Sequence, residues 1–304
     1  MRVAVTGATG RLGSALIAAL GDAPFTGPAG PTAWTRADFD LDAPDGVGTI
    51  LDRDRPEVVV HTAAWTDVDG CAGDPDLAIR RNAVATGVLA IECATRGLDL
   101  LVISTNEVFD GLRTDDRPYA PDDAVSPGNA YGDSKAKGEE VARAAYLNRR
   151  GTVGIARTAW LYGPPGPDFP RKIAAAAERA VAAGEPLRVV ADEWGQPTYA
   201  TDVADAIVEL LAEDAIGGTH HLVNGGTASR ADWARDVVAR LGIAVDIEEV
   251  PASTWQRAST PPRWGVLAPT PLPSGEPMRP WPRAMADYAP ILRRSMAAAG
   301  GRAR

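Results

Sequence analysis

An α/β fold with a doubly wound parallel sheet is predicted by three features of the chain. Short β-branched runs alternate with longer amphipathic runs as far as residue 163. A glycine-rich turn, TGATGRLG, joins the first run of each kind, and the apolar run LVIS ends abruptly in four polar residues, Ser104 to Glu107. Strand and helix alternating at this spacing make βαβ units with helices on both faces of the sheet. Ligands of such sheets lie outside the carboxyl ends of the strands.

The first strand, RVAV, enters the helix LGSALIAAL through a turn carrying Gly7, Gly10 and Gly13. Glycine lets backbone approach a pyrophosphate, and a helix N-terminus adds unpaired N–H groups and partial positive charge. A tight turn without a ligand would use the same glycines, but their place in a βαβ unit favours a Rossmann-type dinucleotide site. At the end of the second strand an acidic residue grips the ribose hydroxyls of NAD, whereas an arginine accommodates a 2′-phosphate. The stretch AWTRADFDLD offers Arg36 near that place, with Asp38 and Asp40 close behind. NADPH is therefore the expected cofactor, with NADH left open; a solvated loop arginine is the other reading of Arg36. EVVVHTAA, LDLLVIS and TVGIARTAWLYG follow as strands, alternating with helices over LAIRRNAVATGVLAIECATRG and around KAKGEEVARAAYL.

After Gly163 the rhythm changes. RKIAAAAERAVAAGE reads as a helix ended by Gly184, and ATDVADAIVELLAED as one entered through Thr201 or Asp202 as a cap. The expected division is a dinucleotide-binding domain over 1–163, to which a helix near 201–214 returns, and a smaller, loop-rich C-terminal substrate lobe over most of 164–304. Nine prolines fall between Pro251 and Pro282, a composition that often marks a linker. Trp255, Trp264 and Trp281 are interleaved with them, so an ordered cap packed on the smaller lobe is expected instead.

A net charge of −9 speaks against a nucleic-acid groove, which needs clustered Lys and Arg. Two cysteines, Cys71 and Cys93, are too few for a disulfide framework and lack metal-ligand spacing. MRVAVTGATG opens directly on a strand, and no apolar stretch reaches the ~18 residues of a membrane span, so a cytoplasmic protein with no membrane partner is expected. His61, His220 and His221 have no Cys or carboxylate at metal-ligand spacing, which leaves them structural or surface roles and no metal site.

Lysine occurs only at 135, 137 and 172, which makes each one informative. Tyr131 and Lys135, four apart in YGDSK, share a helix face. Given so few Tyr and Lys, a chance Y-x-x-x-K has an expectation of only about 0.06. A phenol ionises near pH ~10, and a nearby ammonium favours phenolate. Tyr131 then suits proton transfer to a carbonyl oxygen as hydride arrives. Thr105, at the end of the strand before this helix, suits a hydrogen bond to the same oxygen; a strand-ending Thr bonded to local backbone is the alternative.

The joint pattern of TGATGRLG, HTAAWTDVD, RNAVATGVL, ISTNEVFDG, NAYGDSKAKGE, RTAWLYG, GQPTYATDVADAI and RPWPRAMADY resembles the extended short-chain dehydrogenase/reductase superfamily. Within it, the chain resembles the dTDP-4-dehydrorhamnose reductase family over nearly its whole length. The resemblance implies a catalytic triad of Thr105, Tyr131 and Lys135, with Lys135 also holding the nicotinamide ribose. It further implies that Gly7, Gly10, Arg11, Leu12 and Gly13 surround the pyrophosphate, that Asp40 and Leu41 flank the adenine, and that Ala63, Ala64 and Trp65 line the cofactor. Asn106 and Trp160 would lie toward a dTDP-sugar whose C4 ketone is reduced, and a homodimer is compatible with the family. Two departures stand out: Asn106-Glu107 replaces the family's Asp followed by an aromatic residue or Gln, and TPPRWGVLAPTPLP matches its substrate segment loosely. An epimerase or dehydratase of the same superfamily, and a non-catalytic NADP-binding regulatory subunit, are the competing readings.

Overall fold

The computed structural model describes residues 1–300, with side chains as far as residue 297. Val3–Thr6 forms β1 and Arg11–Gly21 forms α1, whose Leu12, Leu16 and Leu20 are buried at the spacing of one helix face. Thr32–Trp34 is β2, Val47–Asp54 is α2 and Val58–His61 is β3. Two short helices, Val68–Gly73 (α3) and Pro75–Ile79 (α4), lead through a π-helical turn at Arg80–Val84 into Ala85–Arg96 (α5). Asp99–Thr105 is β4, Ala130–Tyr146 is α6 and Val153–Thr158 is β5.

Beyond β5 lie Leu161–Tyr162 (β6), Phe169–Ala183 (α7), Leu187–Val190 (β7), Trp194–Gly195 (β8), Thr198–Tyr199 (β9) and Ala200–Ala212 (α8). Gly218–His221 (β10), Ala228–Ser229 (β11), Arg230–Leu241 (α9), Ile247–Val250 (β12) and Trp281–Gly300 (α10) complete the order. Gly184 ends α7 in the left-handed conformation, as its position predicts. Neither Thr201 nor Asp202 caps α8, however. Tyr199 occupies that place without a side-chain cap, and both expected caps lie within the first turn. Asp202 is engaged instead by Arg279, whose guanidinium spans its two oxygens at 2.8 Å each.

Six parallel strands form the main sheet, in the order β2-β1-β3-β4-β5-β10. The chain leaves β1 on one side for β2 and returns to β3 on the other, which opens a crevice outside the carboxyl ends of β1 and β3. On one face of the sheet, Leu12, Leu16 and Leu20 of α1 share a core with Val203, Ile207 and Leu210 of α8. Leu89 and Ala90 of α5 and Ala142 of α6 cover the other face. A separate aromatic core gathers Tyr162, Tyr199, Trp233, Trp281 and Tyr288 among α7, α9 and α10.

The proline-rich stretch is ordered, but it does more than cap the smaller lobe. Tyr119, in the loop after β4, exchanges backbone bonds of 2.8 Å with Val266 and Ala268, and Asn129 donates to the Thr260 carbonyl at 3.2 Å. The stretch also reaches the aromatic core through Trp281, so it runs as a strap between the two cores. The reason is chemical: its prolines leave carbonyls without matching N–H donors, and side-chain and backbone donors beside β4 satisfy them. Among the described residues no helix is long and apolar enough to cross a membrane, and no cluster of His, Cys, Asp and Glu is arranged to hold a metal.

Candidate active site

The glycine-rich turn folds back on the first turn of α1. A Cβ at Gly13 would lie 2.2 Å from the Gly7 carbonyl oxygen, so only glycine permits the approach. Gly10 precedes α1 and offers no side-chain cap, which leaves the helix N–H groups to a ligand. Arg11 donates from Nη2 to the Pro167 carbonyl at 2.7 Å, while its Nη1 is buried without a hydrogen-bond partner, 3.7 Å from Asp168. Uncapped N–H groups beside an unsatisfied guanidinium nitrogen fit a pyrophosphate.

Two cavities share Gly10, Thr62 and Ala64 as walls. The outer one, of about 290 Å³, is bordered by Gly7, Arg36, Asp40, Leu41, Ala63 and Trp65. The inner one, of about 470 Å³, reaches Arg11, Leu12 and Gly13 and then Thr105, Asn106, Tyr131, Lys135 and Trp160. Every site residue expected from the sequence therefore borders one continuous cleft, at the carboxyl ends of the strands.

Thr105 is the last residue of β4, and the chain then tightens into a single 3₁₀ turn over Asn106–Val108. The first turn of α6 presses against this bend at Gly132, where a Cβ would lie 1.9 Å from the Glu107 carbonyl oxygen. Asn129 caps α6 by accepting from the Gly132 N–H at 2.8 Å. The cap and the close approach bring Tyr131 and Thr105 to the wall of one cavity, where the Thr105 hydroxyl accepts from the Glu107 N–H at 3.2 Å and donates to Asn106 at 3.3 Å. Lys135, one turn further along, is buried, and its ammonium has no hydrogen-bond partner among the described residues.

The electrostatics differ from the sequence expectation at one point. Burial pushes the Tyr131 phenol above its ordinary range, and the Glu107 carboxylate adds to the shift. The expected lowering by Lys135 does not dominate, because burial also pushes that ammonium down to about 8, offset in part by Glu139. Glu139 itself is held low by Arg157 against its own burial, through an ion pair of 2.7 Å, and accepts from Ser104 at 2.6 Å. His61 is structural, as expected: its ring nitrogens meet Thr6 and Thr86 at 2.8 and 3.1 Å, and burial pushes it down to about 3.

Both polar ends of Asn106 are engaged within the protein. Its Nδ2 donates to the Gly265 carbonyl at 3.0 Å, and its Oδ1 accepts from Thr105 at 3.3 Å. Asn106 therefore fastens the strap to the end of β4. Trp160 lies parallel to Trp233 at 5.9 Å, and the Arg230 guanidinium sits 3.6 Å from its ring centre. Sequence reading missed Arg230, one arginine among many, which opens α9 directly after the Ser229 capping box. Burial pushes it down to about 10, and its Nε lies 3.4 Å from the buried Glu193. Glu107, hydrogen-bonded by Asn129 at 2.7 Å, borders the same cavity and is pushed up by burial. The outer cavity holds two more missed residues, Asp42 and Arg81.

This chemistry suits proton delivery to a carbonyl beside a dinucleotide, and the comparisons with known proteins agree. A family model described as the RmlD substrate binding domain matches residues 1–292. A dTDP-4-keto-6-deoxy-D-glucose reductase of Streptomyces niveus is 37% identical over 292 residues, 95% of this chain and 96% of that one. A dTDP-4-dehydrorhamnose reductase of Streptomyces griseus is 34% identical over 295 residues, 95% of this chain and 93% of that one. Among solved structures, a dTDP-4-dehydrorhamnose reductase from Bacillus anthracis in complex with NADP superposes with a TM-score of 0.84 at 28% identity, covering 94% of this chain and 98% of that one. By a match that spans both cores and the whole cleft, the chain belongs to the dTDP-4-dehydrorhamnose reductase family of extended short-chain dehydrogenases/reductases.

Proposed function

We propose that the protein is an NADPH-dependent oxidoreductase that reduces the C4 ketone of a dTDP-6-deoxy-4-ketohexose, a step in rhamnose or deoxysugar biosynthesis. The observation that carries this reading is the meeting of Thr105, Tyr131 and Lys135 in one cavity continuous with the glycine-rich turn. Bound NADPH supplies the hydride. Tyr131 delivers the proton to the ketone oxygen, and the Thr105 hydroxyl orients that oxygen by a second hydrogen bond. Lys135, with its donors uncommitted, holds the nicotinamide ribose and stabilises the phenolate that proton delivery leaves behind. Arg11 and the start of α1 hold the pyrophosphate, Asp40 and Leu41 flank the adenine, Ala63, Ala64 and Trp65 line the cofactor, and Trp160 stands on the sugar-nucleotide side. Residues 1–163 with α8 make up the cofactor domain in this reading, and most of 164–304 the substrate lobe, whose last four residues lie outside the described chain.

The test is incubation of the protein with a dTDP-4-keto-6-deoxy sugar and NADPH, following cofactor absorbance and the sugar product together. Consumption of one NADPH per dTDP-6-deoxyhexose formed is expected, and Tyr131→Phe should lower turnover by about 10²-fold or more while still binding NADPH. Sugar conversion without net NADPH loss would replace the reductase with an epimerase or dehydratase. Cofactor binding with no conversion of any such sugar would leave a regulatory subunit.

A further inference from the structure

Four charged side chains crowd the outer cavity, and one of them is shared. Asp42 accepts from Nε and Nη2 of Arg81 at 2.6 and 2.8 Å, and from Nη2 of Arg36 at 2.9 Å. Arg36 also turns its Nε to Asp40 at 3.3 Å. The Arg81 guanidinium lies 5.1 Å from the Trp65 ring centre, and all five residues border the same cavity. Arg81 reaches this place from the π-helical turn at Arg80–Val84, where the widened helix departs from its regular register.

We infer that Asp42, by occupying both arginines, sets how strongly this protein prefers a 2′-phosphorylated dinucleotide, and that Arg81 is a second phosphate-recognition residue beside Arg36. The inference rests on the cofactor reading given above. Two arginines make a strong site for a phosphate dianion, since their planar donors match its oxygens. Here they already face two carboxylates, so the cluster has no net charge. A 2′-phosphate must share the arginines with Asp42 or displace it, and it meets like charge from both Asp42 and Asp40. An unphosphorylated ribose meets no such repulsion, and its hydroxyls can donate to the same carboxylates. The protein as it stands should therefore discriminate only weakly between NADPH and NADH.

Equilibrium binding tests this without turnover. NADPH and NADH are titrated by fluorescence into the unaltered protein, Asp42→Asn and Arg81→Met, with adenosine 2′,5′-bisphosphate and 5′-AMP as competing fragments. Asp42→Asn should tighten NADPH and the bisphosphate by about threefold or more, a change on the scale of one partly exposed charge pair, and leave NADH and 5′-AMP unchanged or weaker. Arg81→Met should weaken NADPH and the bisphosphate selectively. Equal shifts for phosphorylated and unphosphorylated ligands would overturn the inference while leaving the cofactor reading intact. So would an Asp42→Asn variant that binds NADPH less well, because Asp42 would then orient the arginines rather than compete for them. Failure of the unaltered protein to bind either dinucleotide would remove the cofactor reading, and this inference with it.

Discussion

Burial holds the Lys135 ammonium down to about 8, and the Glu139 carboxylate one turn along α6 offsets only part of that shift. A lysine whose folded pKa lies below its unfolded value weakens the fold at low pH, and the deficit closes as pH rises from about 8 toward the ordinary 10.5. At neutral pH the deficit is about 3 kcal/mol. Lys135→Met should therefore raise the Tm at pH 7 by about 3 °C or more while nearly abolishing turnover, and its advantage should shrink above pH 8. Thermal melts across that range check the sign; a variant less stable at pH 7 would show that the ammonium is already compensated. Glu107 acts through charge on its neighbour. Its carboxylate raises the Tyr131 phenol, so Glu107→Gln should move the alkaline limb of the pH profile of kcat/KM to lower pH. Turnover at pH 7 should stay within about tenfold in a reductase, whereas a dehydratase using Glu107 as acid or base would lose far more.

Among the elements, the strap between Pro251 and Pro280 depends on a few polar fastenings. Asn106 donates to the Gly265 carbonyl, Asn129 donates to the Thr260 carbonyl, and Ser259 donates to Asp69 at 2.5 Å. An Asp at position 106 would set a carboxylate oxygen against the Gly265 carbonyl, where an amide now donates. Asn106→Asp should cost about 1–3 kcal/mol by leaving that buried carbonyl unpaired. It should also make the strap more susceptible to limited proteolysis and raise KM for the sugar, while the Kd of NADPH stays unchanged. A weakened NADPH Kd would instead place Asn106 in the cofactor's path.

Across the whole molecule, α8 ties the two cores together. Its Ile207 and Leu210 pack with α1 under the main sheet, while Tyr199 immediately before it lies in the aromatic core. Asp202 in its first turn is bound by Arg279, at the end of the strap. Separating the cores would expose both faces of this junction, so a single cooperative transition is expected. Six of the eight tryptophans follow residue 159, so fluorescence reports mainly on the smaller lobe and the strap, whereas helices from both parts contribute to far-UV circular dichroism. Urea unfolding followed by both signals should give coincident midpoints. A fluorescence transition preceding the dichroism would show that the smaller lobe opens by itself.

Local patterns alone determined the parallel sheet, the glycine turn at α1 and the pairing of Tyr131 with Lys135, because hydrophobic period, turn glycines and helix spacing act over a few residues. The same patterns misplaced the α8 cap, since Asp202 satisfies an arginine 77 residues away rather than its own helix end. They also gave no sign that Asn106 would hold the strap, that Arg230 would stack on Trp160, or that Asp42 would gather two arginines. The raised phenol of Tyr131 was invisible for a related reason: the sequence shows a lysine four residues away, but how deeply both groups are buried emerges only when β4, α6 and the strap close around them. Such contacts join residues far apart in the chain, and charge interactions depend on burial and distance, both of which tertiary packing sets.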